Sequence, residues 1–174
     1  GHFAFFTYIR PFLEGVTGLE AGAVSLILLV FGIANFLGNY LAAYLLGRSM
    51  RLTLTIMPLL MGSLAFTLSS FGGAVVLDAV LVALWGLAFG AVPVAWSTWI
   101  TRAVPDETES AGGLFVAAIN FAIATGAAAG GYLLDYSGVE AVFLASGGAL
   151  LLATFVIFST VDTRLAIRPS ETAA

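Results

Sequence analysis

A single arginine interrupts the apolar and aromatic opening segment, and it is the first residue in the chain that could do chemistry. Arg10 stands directly before Pro11, and Glu14 follows four residues after it. An arginine inside an apolar helix costs free energy unless it faces a cavity or a partner, so Arg10 could anchor an anionic or hydrogen-bonding substrate. It could equally reach outward to water or pair with Glu14, although Pro11 bends a helix and complicates that pairing.

His2 is the only histidine in the chain. It could carry a proton in a proton-coupled carrier, or it could be a hydrogen-bonding residue in the inner half of its helix. Serine–histidine catalysis would need a histidine deep enough to meet a serine, and carboxylate catalysis would need two acids within the membrane. The sequence offers neither, which points away from an enzyme. The chain also has no cysteine, so we expect no disulfide and no thiolate metal site. We also predict no cofactor.

Three asparagines lie within apolar stretches, where each amide needs a hydrogen-bond partner. Asn35 and Asn39 are four residues apart and share a helix face, whereas Asn120 lies on a later stretch with Thr125. Such amides could bind the polar edge of a substrate, or they could bond neighbouring helices together. Both interpretations stay open for Asn35 and Asn39, and Asn120 is the better candidate for a cavity.

The stretch 79–101 carries two stripes that a helix would place side by side. One is large and mostly aromatic, and the other is small and polar; they consist of Trp85, Phe89, Val92, Trp96 and Trp99, and of Gly86, Gly90, Pro93, Ser97 and Thr101. Pro93 frees a backbone carbonyl and bends the helix, a feature of many transporter sites. Trp99 fits an inner aromatic belt, whereas Trp85 is a candidate for facing a cavity.

Five long uncharged runs hold these residues. The first has 27 residues between Glu20 and Arg48, and the others cover 52–77, 79–101, 110–134 and 141–161. About 20 apolar residues in a helix match the ~30 Å hydrocarbon core of a bilayer, so each run predicts a membrane span. Composition agrees, because 60% of the residues are hydrophobic and only 9% are charged, against about 25% in soluble domains.

The first segment, 1–13, has the same apolar character but covers only about 20 Å as a helix. We therefore expect that the chain begins partway along a sixth helix and that upstream sequence has been removed. The predicted fold is all-α, with six transmembrane helices in one unit of residues 1–161 and a cytoplasmic tail of residues 162–174. The predicted spans are about 1–13, 22–46, 52–70, 75–101, 110–134 and 141–161.

Small residues one turn apart predict close contact between helix backbones. They are Gly86 with Gly90, and Gly126 with Gly130.

Arginines occur in every second connection between the predicted spans, and they predict how the chain is oriented in the membrane. They are Arg48, Arg51, Arg102, Arg164 and Arg168. By the positive-inside rule their side is cytoplasmic, and so is the C-terminus. Asp78 is expected near the opposite, outer interface, where a carboxylate can reach water.

Residues 1–11 (Gly-His-Phe-Ala-Phe-Phe-Thr-Tyr-Ile-Arg-Pro), the pair Trp85-Gly86 and the run from Val92 to Arg102 resemble a known family. They are similar to the C-terminal half, helices seven to twelve, of drug/proton antiporters of the major facilitator superfamily, and most similar to members that export purine ribonucleosides.

A loop motif adds to the resemblance. Residues 38–51 are similar to the second cytoplasmic loop motif of the superfamily, whose basic positions match Arg48 and Arg51. Gly47 stands where that motif usually has an aspartate. The arginines, with Arg102, are therefore expected to set the topology and to contact lipid phosphates.

The resemblance implies that the first and fourth helices line a central cavity and that the second and fifth adjoin a missing N-terminal half of six helices. It also implies a set of substrate-binding residues, which are Thr7, Tyr8, Arg10, Trp85 and Ser97, joined by Asn35, Asn39 and Asn120. The implied protein is a secondary active transporter that exports purine nucleosides in exchange for protons by alternating access, in the inner membrane of a bacterium.

Sugar or multidrug efflux within the same superfamily is the alternative function, and a stand-alone dimeric six-span transporter or a scaffold is the alternative of a different class. The expected partners are a small-molecule substrate, protons, the lipid bilayer and the missing half, with no nucleic acid. Because the acids lie near helix ends, the proton-carrying carboxylate is expected in the missing half unless His2 serves.

Overall fold

The computed structural model describes residues 1–161, and within them the chain forms six α-helices and no strand. The helices are α1 (His2–Gly15), α2 (Ala21–Arg48), α3 (Met50–Phe71), α4 (Val75–Ala103), α5 (Thr108–Ser137) and α6 (Val139–Thr160), with a short 3-10 turn at Pro105–Glu107. The predicted cytoplasmic tail, with Arg164 and Arg168, lies outside the described residues. The prediction of an all-helical chain is confirmed for the described part.

Length and composition decide which helices can cross a bilayer. Five of them, α2 to α6, are long and apolar enough to do so. Helix α1 has 14 residues, which rise about 21 Å, and is therefore shorter than a hydrocarbon core of about 30 Å. This arrangement of apolar helices is that of a multi-pass membrane protein.

Two pairs of consecutive helices are separated by only one residue each. Ser49 stands between α2 and α3, and its Oγ accepts a hydrogen bond from the N–H of Leu52 at 3.3 Å, which caps α3. Gly138 stands between α5 and α6 with a φ of 82°, a conformation that favours glycine because it has no Cβ. Each joint turns the chain back within one residue.

Hydrogen bonds between distant segments show which helix ends lie together. At one end, Thr17 Oγ1, just after α1, donates to Oδ2 of Asp78 at the start of α4, at 2.7 Å. At the other, Arg51 Nη2 at the start of α3 donates to the carbonyl of Phe158 near the end of α6, at 3.0 Å. We call these the Asp78 end and the Arg51 end. Arg102, near the end of α4, lies at the Arg51 end.

The six helices form a ring of four with a pair behind it. Helix α2 packs on α4, α4 contacts α5, α5 packs on α1, and α1 contacts α2; we call these four the ring. Helices α3 and α6 pack against each other and contact the ring mainly through α4 and α1. The largest fully buried side chains include Trp85, Phe5, Phe12 and Phe143, so the core lies where the pair meets α1 and α4.

Glycines bring the ring helices into close contact. A methyl group on Gly86 or Gly90 of α4 would collide with backbone carbonyls of α2. Gly126 of α5 lies against the backbone of α1 at Ala4, and Gly130 lies against the ring of Tyr8. The predicted close packing at both glycine pairs is confirmed.

Asp78 does not reach water, and the expectation that it would is wrong. The residue is 0% exposed. The connections that follow α1 and α3 fold over it, and Oδ2 accepts hydrogen bonds from Thr17 Oγ1 and from the N–H of Gly73. A short polar side chain at a helix start can be buried when neighbouring loops supply the donors that water would otherwise provide.

Candidate functional site

A buried histidine–tryptophan pair joins α1 to α4. Trp85 is 0% exposed, and its Nε1 donates a hydrogen bond to Nδ1 of His2 at 2.9 Å. The bond requires an unprotonated Nδ1, so His2 serves here as a hydrogen-bond acceptor between helices. Of the two roles considered for His2, this arrangement favours the bond between helices over the transport of a proton.

Aromatic rings stack on both members of this pair. The ring of Phe89 lies 3.4 Å from that of His2 at an interplanar angle of 8°, and the ring of Phe5 lies 3.6 Å from that of Trp85 at 10°. Phe143 of α6 lies 4.4 Å from the ring of Phe5 and is tilted by 34° to it. Trp85 is therefore packed inside the helix bundle, and its ring does not reach the protein surface.

An apolar cavity of about 220 Å³ lies beside the pair, between α3, α4 and α6. His2 and Thr53 are the polar side chains at its wall, and the others are apolar: Leu54, Met57, Pro58, Met61, Phe89, Val92, Ala95, Trp96, Leu150, Ala153 and Ile157. So few polar groups could not satisfy the hydrogen-bonding groups of a nucleoside. The cavity is therefore a poor site for the substrate class that the sequence suggested.

The predicted substrate-binding residues lie elsewhere, and all of them are on ring helices. Thr7, Arg10, Asn39, Ser97 and Asn120 are exposed, Tyr8 and Asn35 are half-buried, and Trp85 is fully buried. Hydroxyl, amide and guanidinium groups are thus exposed on the ring helices, whereas Trp85 is buried behind this exposed surface.

Most of the exposed polar groups bond back to their own helices. Thr7 at 2.7 Å, Asn39 at 3.3 Å and Asn120 at 2.9 Å each donate a hydrogen bond to the carbonyl four residues earlier. Ser97 is exposed as well, on the half of α4 beyond Pro93. A bond within one helix can be exchanged for a bond to a ligand without separating two helices.

Tyr8 and Asn35 fasten ring helices to one another. Tyr8 Oη donates to the carbonyl of Ala127 on α5 at 2.6 Å, and Asn35 Nδ2 donates to the carbonyl of Gly86 on α4 at 3.4 Å. For Asn35 the structure favours the packing interpretation. Asn39 makes its hydrogen bond within α2. Although the two amides are one turn apart, only that of Asn35 joins α2 to another helix.

Arg10 pairs with Glu14 despite the intervening Pro11. Its Nε lies 2.7 Å from Glu14 Oε1, and the side chains are 63% and 39% exposed. An exposed pair of this kind stabilises a fold by about 0.2–1 kcal/mol. The guanidinium can therefore leave Glu14 for an anionic or hydrogen-bonding ligand at small cost, and the two sequence interpretations of Arg10 are compatible.

The arginines of the Arg51 end contact aromatic rings. The guanidinium carbon of Arg48 lies 4.8 Å from the ring centre of Tyr44, and that of Arg51 lies 4.6 Å from the ring centre of Phe158. Arg102 is exposed. These positions leave the charges accessible at one end of the bundle, where the loop motif was recognised.

Two features of the site were not anticipated from the sequence. The partner of Trp85 is 83 residues away in the chain, and the partner of Asp78 is 61 residues away. No local pattern links residues at such separations. A signal did exist for Asp78, since a charged residue within an apolar run needs a partner, but nothing in the sequence identified Thr17.

Comparison with known proteins gives a consistent result. The sequence model of the family described as Major Facilitator Superfamily matches residues 1–174. The chain is 46% identical over 161 residues to a protein of Salmonella paratyphi B named purine ribonucleoside efflux pump NepI, and 45% identical over 161 residues to the protein of that name from Salmonella typhimurium. Each comparison covers 92% of this chain and 41% of the relative.

A relative with a different name is nearly as similar. The chain is 44% identical over 164 residues to a Pseudomonas aeruginosa protein named transcription regulatory protein OpdE, covering 94% of this chain and 41% of that relative. The chain therefore spans about two fifths of the length of the curated relatives that it matches. No solved structure matches it significantly.

Proposed function

The chain belongs to the major facilitator superfamily, and we propose that it forms one half of a secondary active transporter that exports purine nucleosides or similar small molecules by alternating access. Family membership points to a multi-pass membrane transporter rather than an enzyme. The observation that carries the finer proposal is the 45–46% identity to proteins named as purine ribonucleoside efflux pumps. Because the chain spans 41% of their length, we propose that a second six-helix half completes the transporter.

The distribution of polar groups supports a substrate surface on the ring. All eight candidate residues lie on α1, α2, α4 and α5 and none on α3 or α6, although large apolar side chains are exposed on both groups of helices, such as Phe36 and Phe121 on the ring and Leu152 and Phe155 on α6. Apolar faces suit lipid, whereas hydroxyl, amide and guanidinium groups suit a polar ligand. We therefore propose that the ring faces the substrate and the second half, and that α3 and α6 face the bilayer.

The chemistry of the exposed set suits a nucleoside. Asn39 and Asn120 offer amides that can donate to and accept from a purine edge, and Thr7 and Ser97 offer hydroxyls for the ribose. Arg10 can donate to a carbonyl or hydroxyl oxygen. Trp85 would act from behind this surface by holding His2 and the helix that carries Thr7 and Arg10 in place.

Proton antiport remains part of the proposal, with the proton-carrying carboxylate in the second half. The acids of the described residues lie near helix ends: Glu14, Glu20, Asp78, Asp106, Glu107, Glu109, Asp135 and Glu140. An acid deep in a span is the usual proton relay of such carriers. We further propose that the Arg51 end and the C-terminus lie in the cytoplasm of a bacterial cell, because basic residues favour that side.

Export of labelled nucleosides tests the proposal. The full-length protein would be produced in a bacterial strain that lacks its own exporters, and the efflux of radiolabelled inosine, guanosine and a sugar would be compared. We expect faster export of the nucleosides, abolished by a protonophore, and resistance to toxic nucleoside analogues. Export of the sugar alone, or of none of the three at normal protein abundance, would contradict the purine assignment and leave the family membership intact.

A further inference from the structure

The apolar cavity between α3, α4 and α6 lies where α1 begins, and the proposed substrate surface does not use it. His2, in the first turn of α1, stands at the cavity wall. On α6 the wall consists of Leu150, Ala153 and Ile157, whose spacing of three and four residues places them on one helix face. This face of α6 therefore borders the cavity over about two helical turns.

The earlier part of α6 packs against α1, and the two helices run in opposite directions. The ring of Phe12, near the end of α1, lies 4.7 Å from that of Phe143, near the start of α6. Gly1 lies further along α6, where an added methyl group would collide with Leu150. Moving back along α1 from Gly1 therefore means moving forward along α6, past Leu150 and toward Ala153.

Helix α4 shows the same relation to α1. Trp85 donates a hydrogen bond to His2, and the ring of Phe89 stacks on that of His2. The next members of this aromatic stripe, Val92 and Trp96, line the cavity. The stripe on α4 thus contacts α1 in its first half and borders the cavity in its second half.

The helical path of α1 points into the cavity. The N–H of Phe5 donates to the carbonyl of Gly1 at 3.1 Å, so helical hydrogen bonding already begins at Gly1. A helix continued backwards from Gly1 would enter the cavity, because α4 flanks His2 and α6 flanks Gly1 at this point. About six further residues would lengthen α1 from 14 to about 20 residues, which is the length that spans a hydrocarbon core.

The cavity wall suits the apolar face of a helix better than a free ligand. Its volume of about 220 Å³ is below the roughly 300–1,000 Å³ of small-molecule sites. Of the two polar side chains at the wall, Thr53 donates to the carbonyl of Ser49, and His2 accepts from Trp85. Both have partners within the protein, so apolar side chains can fill the remaining space without leaving these bonds unmade.

We propose that this cavity is the binding site for the helical segment that precedes Gly1 in the full-length protein, which packs there as the first turns of α1. The proposal rests on the function proposed above, in which this chain is one half of a longer transporter. The fourth and seventh positions before Gly1 should be apolar, because a helix places them on the same face as Gly1, toward α6. The segment would carry the upstream chain to the Arg51 end.

Thiol cross-linking in the full-length protein tests this position of the segment. The chain contains no cysteine of its own, and any others would be replaced. A cysteine at the fourth position before Gly1 would be combined either with Ala153→Cys, on the cavity side of α6, or with Phe155→Cys, at a position that is 68% exposed. A short bifunctional thiol reagent should join the Ala153→Cys pair about tenfold faster, since only facing thiols are held within its reach. Equal rates in folded protein would overturn the proposal.

Ala153→Leu distinguishes a filled cavity from an open one. If the upstream segment occupies the cavity, the larger side chain overpacks the core and lowers the apparent Tm of the full-length protein. If the cavity is open to lipid chains or small apolar molecules, leucine fills free space, and an unchanged or raised Tm would contradict the proposal. Ala145→Leu, at an exposed position of α6, is the matched control and should leave the Tm unchanged. An equal fall in both variants would also count against the upstream segment.

Neither measurement depends on the transported substrate, so the two proposals can fail separately. Selective cross-linking together with a failed nucleoside assay would reject only the purine assignment. Normal nucleoside export together with equal cross-linking rates would reject only the assignment of the cavity.

Discussion

The polar side chains on the ring form two sets that differ in where their hydrogen bonds go. An inward set, which consists of His2, Tyr8, Asn35, Asp78 and Trp85, bonds to other helices or to their connections. An outward set, which consists of Thr7, Arg10, Asn39, Ser97 and Asn120, is exposed, and its side-chain bonds stay within one helix. Similar residue types therefore hold the bundle together in one place and stay available to a ligand in another.

The difference predicts how substitutions will behave. Removing an inward group leaves a buried donor or acceptor without a partner, which lowers the free energy of unfolding. Removing an outward group disturbs one helix surface and should change function at nearly constant stability. Substitutions in the two sets therefore test this division, and the largest effect is expected at Trp85.

Trp85→Ala should destabilise the protein most. A fully buried tryptophan lost to alanine leaves a cavity and typically costs about 3–5 kcal/mol. The apparent Tm in detergent and the amount of folded protein should both fall sharply. Phe155→Ala, on an exposed face of α6, is the control for an aromatic of the outer surface, and it should change the Tm little. Equal losses in the two variants would contradict the inward assignment of Trp85.

Trp85→Phe isolates the hydrogen bond from the packing. It keeps an aromatic ring next to Phe5 but leaves Nδ1 of His2 without its donor, which should cost about 1–3 kcal/mol. The same change at Trp96, which is half-buried, should cost less. A double-mutant cycle with His2→Phe should show a coupling between the two positions. Additive effects of the two single changes would mean that the His2–Trp85 bond contributes nothing to stability.

Tyr8→Phe should have a smaller effect. It removes one hydroxyl, whose bond to the carbonyl of Ala127 contributes about 1 kcal/mol. Tyr132→Phe is a suitable control, because Tyr132 is exposed on α5. Thermal unfolding of the two variants gives the comparison. If Tyr8→Phe lowered the export rate at an unchanged Tm, Tyr8 would belong to the outward set with the substrate residues.

The division of the polar side chains into an inward and an outward set could be predicted from the sequence only in part. The uncharged runs predicted apolar helices because length and hydropathy are local properties of a sequence. The glycine pairs predicted close backbone contact for the same reason. The sequence also identified the polar residues, but it did not separate Asn35 from Asn39, which share a helix face and differ in whether a neighbouring carbonyl lies within reach.

The remaining features of the site could not be predicted, because they depend on contacts between residues that are far apart in the chain. A cavity is one sequence interpretation of Trp85, yet its partners are His2 and Phe5 on α1, both distant in the chain. The sequence predicts Asp78 at a water interface, but its hydroxyl donor, Thr17, lies 61 residues earlier in the chain. A sequence read alone gives the type of each side chain and its place on a helix, and the partners depend on how the helices assemble.

Asn120→Ala should affect export far more than stability. Its amide donates only to the carbonyl of Val116 on the same helix, so the Tm should shift by less than the equivalent of about 0.5 kcal/mol. If Asn120 contacts the substrate, the KM for nucleoside export should rise by about tenfold, the cost of one lost hydrogen bond to a buried polar group. Ser63→Ala on α3 is the control, and it should alter neither value. An unchanged KM would remove Asn120 from the substrate surface.

Arg10→Ala should change stability little, because an exposed salt bridge contributes at most about 1 kcal/mol. The informative comparison is with Glu14→Ala, which breaks the same pair but leaves the guanidinium free. If Arg10 binds the substrate, Arg10→Ala should raise the KM for export, and Glu14→Ala should leave it unchanged or lower it, since the arginine no longer has a competing partner. If the pair serves packing, both variants should export normally with the same slight fall in protein abundance. Kinetic constants measured at matched protein levels separate these outcomes, and equal defects in both variants would place Arg10 in the inward set despite its exposure.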